Sequence, residues 1–367
     1  MYKRQILSAL RLADEFGFEI VLHHVTEAYR VRDELERRGT LCSYTLVDSP
    51  GGKPEAIHMR YENPARAALP RFALNTDDPV TESRFFLRTA ALAIRGGITP
   101  EQALKSITLW PAEMMHIEKR VGSIEVGKDA DLVLLSGDPF STYTRVLKTW
   151  IEGELLFDRE DPEHLRYATG GYYVRQRFPR EELPPADPPR AVTDRSDSGG
   201  SGPGDFAVRA SWVHTGSGGS IRDGVVVVEE GRILAVGNWG EVPVPGTVIR
   251  ANQITPGLID AHGSAGLSGA LNVPADQDLQ ETSDPVQASL RVIDGFNARA
   301  PLLRYLLEHG VTAIQAVPGP RAVIAGQAGI FRTDAGSEPV IRFPSAMVFN
   351  LGESPKRGEK APGTRMG

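Results

Sequence analysis

The stretch VGSIEVGKDADLVLLSGDPF at residues 121–140, followed by VLKTWIEGELLFD at 146–158, is built of short β-rich runs punctuated by glycine. That is the pattern of a small antiparallel sandwich. Before it the texture differs. ILSALRLADEFGF (6–18) carries apolar residues at helical spacing, EIVLHHV (19–25) is a short β-rich run, and TEAYRVRDELERRG (26–39) is again helical and closes on Gly39. LCSYTLVDSP (41–50) and RFALNTDDP (71–79) read as further strands. SRFFLRTAALAIRGG and TPEQALKSITLWPAEMM then supply helices, the second capped by Thr99 with Pro100 in its first turn. Strands alternating with helices imply a parallel sheet or barrel.

After the sandwich-like stretch, residues 179–205 hold a proline cluster and SDSGGSGPGD, a composition that reads as a linker. Beyond it, FAVRASWVHT, DGVVVVEEGRILAVG and TVIRANQITPGLIDAH are β runs, and PLLRYLLEHGVTAIQAVPG restores the helix-then-strand rhythm.

Bulk properties narrow the function classes. The chain has 367 residues, 41% of them hydrophobic, enough for real cores. A net charge of -6 and a pI near 5.8 argue against a nucleic-acid partner, which requires clustered Lys and Arg. No apolar run approaches the roughly 20 residues of a membrane span, so the chain reads as soluble, with no membrane partner and its compartment open. The single cysteine, Cys42, cannot form an internal disulfide and sits in an apolar-alternating run, where a buried core role outweighs a reactive thiol.

Several segments resemble the amidohydrolase superfamily, in particular its imidazolonepropionase-like subgroup. QITPGLIDAH (253–262) resembles the end of the first barrel strand, where an HxH pair binds metal; its first histidine is His262, and Ser264 stands at the second position. LNVPADQDLQETSDP and VIAGQAGIFRT are similar to the same subgroup. VLHHVTEAYRV (21–31) resembles the sixth strand, placing His24 as a ligand. Adjacent strand residues point to opposite faces, so His23 is expected to pack outward. LNTDDPVTESR (74–84) resembles the end of the eighth strand, where Asp77 fits both the last ligand and the proton shuttle. Asp78, followed by Pro79, reads as a turn or helix-capping carboxylate. VDSPGGKPEA, with Asp48, Gly51, Gly52 and Lys53, resembles the loop after the seventh strand; its glycines suit either close substrate approach or a plain tight turn. His58, just beyond, reads as surface. The stretch from Val121 is similar to the return segment that completes the family's sandwich.

The resemblance implies an α/β fold of partial (β/α)8 TIM-type barrel pieces plus a small β-sandwich, in permuted order. Residues 1–115 would carry strands six to eight, 116–175 the closing sandwich segment, 176–205 the linker, 206–256 the opening sandwich segment and 257–367 strands one to three. Two origins fit: a permuted single domain, or an internal slice of a tandem pair. The slice is favoured because strands four and five are missing, and because MYKRQ and GTRMG look like cut ends.

The implied activity is metal-dependent hydrolysis of a C–N bond in a small-molecule amide, cyclic amide or dipeptide. His24, Asp77 and His262 would hold a divalent ion, zinc foremost, with Asp77 also the catalytic proton carrier. The alternative, favoured by Ser264, is a degenerate non-catalytic domain used for packing or ligand binding. Half-barrels leave edges and apolar faces open, so the two halves are expected to pack on each other or to form a homo-oligomer.

Overall fold

The computed structural model describes residues 1–46, 56–78, 80–164, 205–269, 273–334, 336 and 338–357. The loop carrying Asp48, Gly51, Gly52 and Lys53, together with residues 165–204, which include the end of the expected sandwich segment and nearly all of the expected linker, lies outside the described residues.

The first half opens with α1 (Lys3–Phe16), whose Ile6, Ala9, Leu10 and Ala13 form one buried stripe at helical spacing. α2 (Arg32–Arg38) ends on Gly39, whose φ of 64° provides the left-handed cap without steric cost. β1 (Ser43–Thr45), α3 (Asn63–Ala67), β2 (Ala73–Asn75) and α4 (Phe86–Arg95) follow. At α5 (Pro100–Ser106) the cap predicted at Thr99 is present, and Gln102 completes it as a capping box: Gln102 N–H donates to Thr99 Oγ1 at 3.1 Å, and Thr99 N–H donates to Gln102 Oε1 at 2.9 Å. α6 (Leu109–Met114) leads into β3 (Leu132–Leu135), β4 (Val146–Ile151) and β5 (Glu154–Asp158). The second half contributes β6 (Phe206–His214), β7 (Ser220–Glu229), β8 (Arg232–Asn238), β9 (Val248–Pro256) and β10 (Leu258–Gly263). It then adds α7 (Val292–Gly295), α8 (Pro301–Leu307), β11 (Val311–Ala316), β12 (Ile324–Arg332) and β13 (Val340–Phe349).

The described residues are mixed α/β with three sheets, and the chain halves meet in the largest cores. The sandwich-like strands form one seven-stranded sheet in the order β5-β4-β3-β9-β6-β7-β8, rather than two separate antiparallel layers. β9 is the reason. Its first part runs parallel to β6 from Ala207↔Val248 to Val213↔Ile254, and its end pairs antiparallel with β3 from Leu135↔Gln253 to Leu132↔Pro256. The sheet then folds over on itself, since Asp129 bridges Arg232 at the start of β8 and Gly127 N–H donates to Ile233 O at 2.8 Å. Inside the fold, Leu132, Leu134 and Trp150 of the first half pack with Val208, Val226, Ile233 and Ile254 of the second.

The barrel-like part is an arc of parallel segments. Leu22 bridges Cys42 in parallel, β1 pairs β2 in parallel, and β10 pairs β11 in parallel. β2 and β10 are joined at their C-terminal ends, where Asp77 N–H donates to His262 O at 3.1 Å. One core spans the arc, with Ile6, Leu10, Phe72, Leu74 and Trp110 of the first half against Leu258, Leu303, Leu306 and Ile314 of the second. A third parallel strand, expected within 257–367, does not follow β11: β12 runs antiparallel to it, and β13 antiparallel to β12. Only residues 317–323 separate β11 from β12. A parallel crossover needs a dozen or more residues, so the chain has to turn straight back. β13 ends against α1, where Phe349 stacks on Phe18 with ring centroids 6.5 Å apart and Gln5 donates to Leu351 O at 3.1 Å.

Ion pairs also cross between the halves: Arg232 reaches Asp129 at 2.9 Å and Arg332 reaches Glu152 at 2.6 Å. Between these pairs lies Asp131, buried at the head of β3, whose Oδ1 accepts the Glu152 N–H at 2.9 Å. Burial, ahead of its neighbours Asp129 and Glu152, pushes its carboxyl from 3.8 up to about 7. Folding therefore favours the protonated form. The associated stability is complete below the ordinary carboxyl range and is lost as pH rises through about 7. The loss has an upper limit of about 4 kcal/mol. Asp131→Asn keeps an acceptor for Glu152 and removes the charge. Urea unfolding between acid and neutral pH is expected to show a flatter stability profile for the variant, with the largest gain over the parent above neutrality; an equal slope in both proteins would refute this account of Asp131.

Candidate metal centre

His24, Asp77 and His262 come together at the C-terminal ends of the parallel segments, the end of a barrel where active sites are built. His24 follows the bridge at Leu22, Asp77 follows β2, and His262 lies in β10. One candidate ligand atom from each lies within 4.8 Å of the others. His262 Nε2 is 3.5 Å from Asp77 Oδ1, and His24 Nε2 is 3.8 Å from Asp77 Oδ2, so the carboxylate sits between two imidazoles. The rings of His24 and His262 meet edge-on with centroids 5.0 Å apart. Side-chain exposures of 32%, 31% and 15% for His24, Asp77 and His262 describe an open-mouthed cleft.

His23 does not pack outward. Its ring lies 4.5 Å from that of His262, so both histidines of the pair face the same space. The strand alternation fails because His24 has φ 59°, a left-handed conformation that re-aims its side chain. Asp77 is likewise left-handed, with φ 50°. Two non-glycine residues held this way each cost on the order of 1–3 kcal/mol, and such positions cluster at functional sites.

The electrostatics keep His262 and His23 neutral. Burial, and then the proximity of His23 and His24, holds His262 well below the ordinary histidine range. Burial alone lowers His23 to about 4. Neutral imidazole is the form that ligates metal. Nδ1 of His262 is buried without a hydrogen-bond partner among the described residues. Two imidazoles, that of His262 held neutral and with its buried Nδ1 unsatisfied, and one carboxylate form a donor set that fits a divalent ion.

Ser264, in place of a second histidine, acts as a strut: its Oγ donates to Asp78 O at 2.6 Å and accepts from Ser268 Oγ at 3.1 Å. Asp78 accepts from Ser83 N–H at 3.1 Å and Ser83 Oγ at 2.5 Å, a turn-and-cap role that points its carboxylate away from the cluster. His58 is exposed and lies 3.8 Å from Glu27. Cys42 is buried, and burial pushes its thiol up to about 12.

Sequence reading missed Asp260. Its fully buried carboxylate accepts both the hydroxyl and, at 3.2 Å, the N–H of Thr76, and its Oδ1 also accepts His262 N–H at 3.2 Å. It thus clasps the strand end that carries Asp77 to the one that carries His262. Burial raises its carboxyl to about 7 against the opposing Thr76 bonds. An acid two residues before a strand-end histidine was the available signal.

At the ends of its parallel segments the chain carries a His/Asp cluster that could hold a metal ion, and several known proteins are similar to it. Residues 66–157 match the profile described as the Amidohydrolase family. The chain is 32% identical over 212 residues to adenine deaminase of Rubrobacter xylanophilus, covering 54% of this chain and 31% of that protein. It is 30% identical over 114 residues to imidazolonepropionase of Shouchella clausii, covering 26% of this chain and 25% of that protein. Among solved structures, an amidohydrolase from Thermotoga maritima MSB8 is 38% identical with a TM-score of 0.41, over 42% of this chain and 41% of that one. The chain therefore spans less than a third of the length of either curated relative. The similarity is thus to amidohydrolases, over part of this chain.

Asp260→Ala leaves the two Thr76 donors and the His262 N–H without their acceptor inside the core. The expected cost is about 2–4 kcal/mol, read as a lower urea midpoint at unchanged slope. Asp260→Asn, which retains one acceptor oxygen, is expected to recover part of it; a loss below 1 kcal/mol for the alanine variant (about the worth of one ordinary hydrogen bond) would remove the clasp from the account.

Proposed function

We propose that the protein containing this chain hydrolyses a C–N bond in a small amide, cyclic amide or dipeptide, using a divalent ion held by His24, Asp77 and His262. The observation that supports this reading most is the convergence of those three side chains from both halves of the chain. Zinc suits two neutral imidazoles and one carboxylate oxygen. Residues 1–115 and 257–367 are read as two arcs of one barrel, and 116–175 with 206–256 as its sandwich.

Bound there, a divalent ion supplies Lewis acidity, lowering the pKa of water toward about 7 and polarising a scissile carbonyl. His262 keeps its lone pair available because burial, and then the proximity of His23 and His24, disfavour its imidazolium form. Asp77 has one oxygen toward each histidine, so one oxygen can hold the ion while the other accepts a proton from the attacking water. The same oxygen returns that proton to the leaving nitrogen. The half-exposed position of Asp77 lets substrate reach it.

Ser264 favours a second reading. With the second histidine of the HxH pair replaced by a strut, the centre holds three protein ligands, and a non-catalytic domain that packs or binds a small ligand fits that depletion.

Equilibrium dialysis against zinc separates the readings. The catalytic reading expects about one ion per chain, and about 100-fold or greater weakening in His24→Ala, Asp77→Asn and His262→Ala, since loss of a ligand exceeds the 10–100-fold typical of an outer-shell partner. Zinc-loaded protein is then expected to release amine from a panel of amides, cyclic amides and dipeptides. Absence of specific zinc binding would leave the packing role in place of the catalytic one.

A further inference from the structure

Four hydrogen bonds, the two inner ones buried, run from one histidine of the His23–His24 pair to the other. His24 Nδ1 lies 2.7 Å from Thr45 Oγ1, and Thr45 Oγ1 donates to Asn75 Oδ1 at 2.5 Å. Asn75 Nδ2 donates to Ser43 Oγ at 2.6 Å, and Ser43 Oγ lies 2.7 Å from His23 Nδ1. Ser43, Thr45 and Asn75 are all buried, on the paired strands β1 and β2, so water does not replace a missing partner.

With the Asn75 amide oxygen toward Thr45 and its nitrogen toward Ser43, counting protons along this chain sets the tautomers. The amide oxygen of Asn75 only accepts, so the single hydroxyl proton of Thr45 goes to it. Thr45 Oγ1 then has only acceptor capacity left for His24, which must carry its proton on Nδ1. The lone pair of His24 falls on Nε2, the atom that faces Asp77. At the other end, Ser43 Oγ already accepts from Asn75. Its own proton has His23 Nδ1 as its acceptor, and leaving that buried hydroxyl proton unpaired would cost about 1–3 kcal/mol. His23 therefore accepts at Nδ1 and carries its proton on Nε2, a nitrogen with no partner among the described residues.

We infer that the two adjacent histidines have opposite roles: His24 offers a lone pair to a cation, and His23 offers an N–H to an oxygen acceptor, the carbonyl or carboxylate oxygen of a substrate. The assignment of that acceptor rests on the hydrolase reading above, whereas the tautomers follow from the hydrogen bonds with the Asn75 amide oriented as in this structure. His23, with its ring against His262, sits where a donor would meet a carbonyl oxygen beside the candidate metal centre.

Long-range proton–nitrogen spectra of the histidine-labelled, metal-free chain at about pH 8, where imidazoles are neutral, test the inference directly. His24 is expected as the Nδ1–H tautomer and His23 as the Nε2–H tautomer; Nδ1–H at His23 overturns it. Asn75→Asp turns the relay residue into an acceptor for both hydroxyls. It is expected to flip His23 to Nδ1–H while the dispersed histidine spectrum reports an intact fold, and an unchanged tautomer there overturns the relay. In zinc titrations, His23→Gln and His23→Phe are expected to match the parent within about twofold, whereas a fall of about tenfold or more would make His23 a ligand instead. Acetate added to the zinc-loaded chain, as the oxygen probe, is expected to shift the His23 Nε2–H resonance, and no shift removes the donor role. Failure of the parent to bind zinc would sink the hydrolase reading and leave the tautomer result standing.

Discussion

The joint between Thr76 and Asp260 holds the site together. A carboxylate buried in β10 takes the main-chain and side-chain donors of the residue that precedes Asp77, and the next residue's N–H reaches the carbonyl of His262. These bonds connect positions 184 residues apart in sequence. Without them β2 and β10 would be neighbours only through packing, and the carboxylate and imidazole they carry would lack a fixed separation. The seven-stranded sheet makes the same connection at the far end through β3 and β9. Each half of the chain thus supplies the missing edge of the other, which is how an open half-barrel avoids exposing its strand edge.

Backbone strain follows from this joint. His24 and Asp77 are both left-handed, and each turns its side chain toward His262. An ordinary strand end would send alternate residues to opposite faces and could not bring His23, His24 and His262 into one cluster. The conformations persist because the chain is tied on both sides, by Val25 N–H on Ser43 O at 3.1 Å before β1 and by the Asp260 clasp beyond β2.

Much of the arrangement was legible in the residues. Glycine at 39, the Thr99 cap and the apolar stripe of α1 are local signals, and each produced the element it predicts. His24, Asp77 and His262 were visible because strand-end His and Asp in those runs resemble a known family, and the structure brings the three together. What was not legible depends on backbone conformation or on distant pairing. The inward turn of His23 required a positive φ at a non-glycine residue, which no side-chain pattern signals. The single folded sheet required β9 to serve two partners along its length. The reversal at β12 was set by a connection too short for a crossover, a constraint that counting residues 317–323 would have revealed.

The proposed site requires residues from the two halves of the chain to share one metal ion, which diffraction from zinc-soaked crystals at the zinc absorption edge would locate. One anomalous peak is expected at about 2.0–2.2 Å from ligand atoms of His24, Asp77 and His262 together. A peak that excludes His262, or one lying away from all three residues, would contradict it.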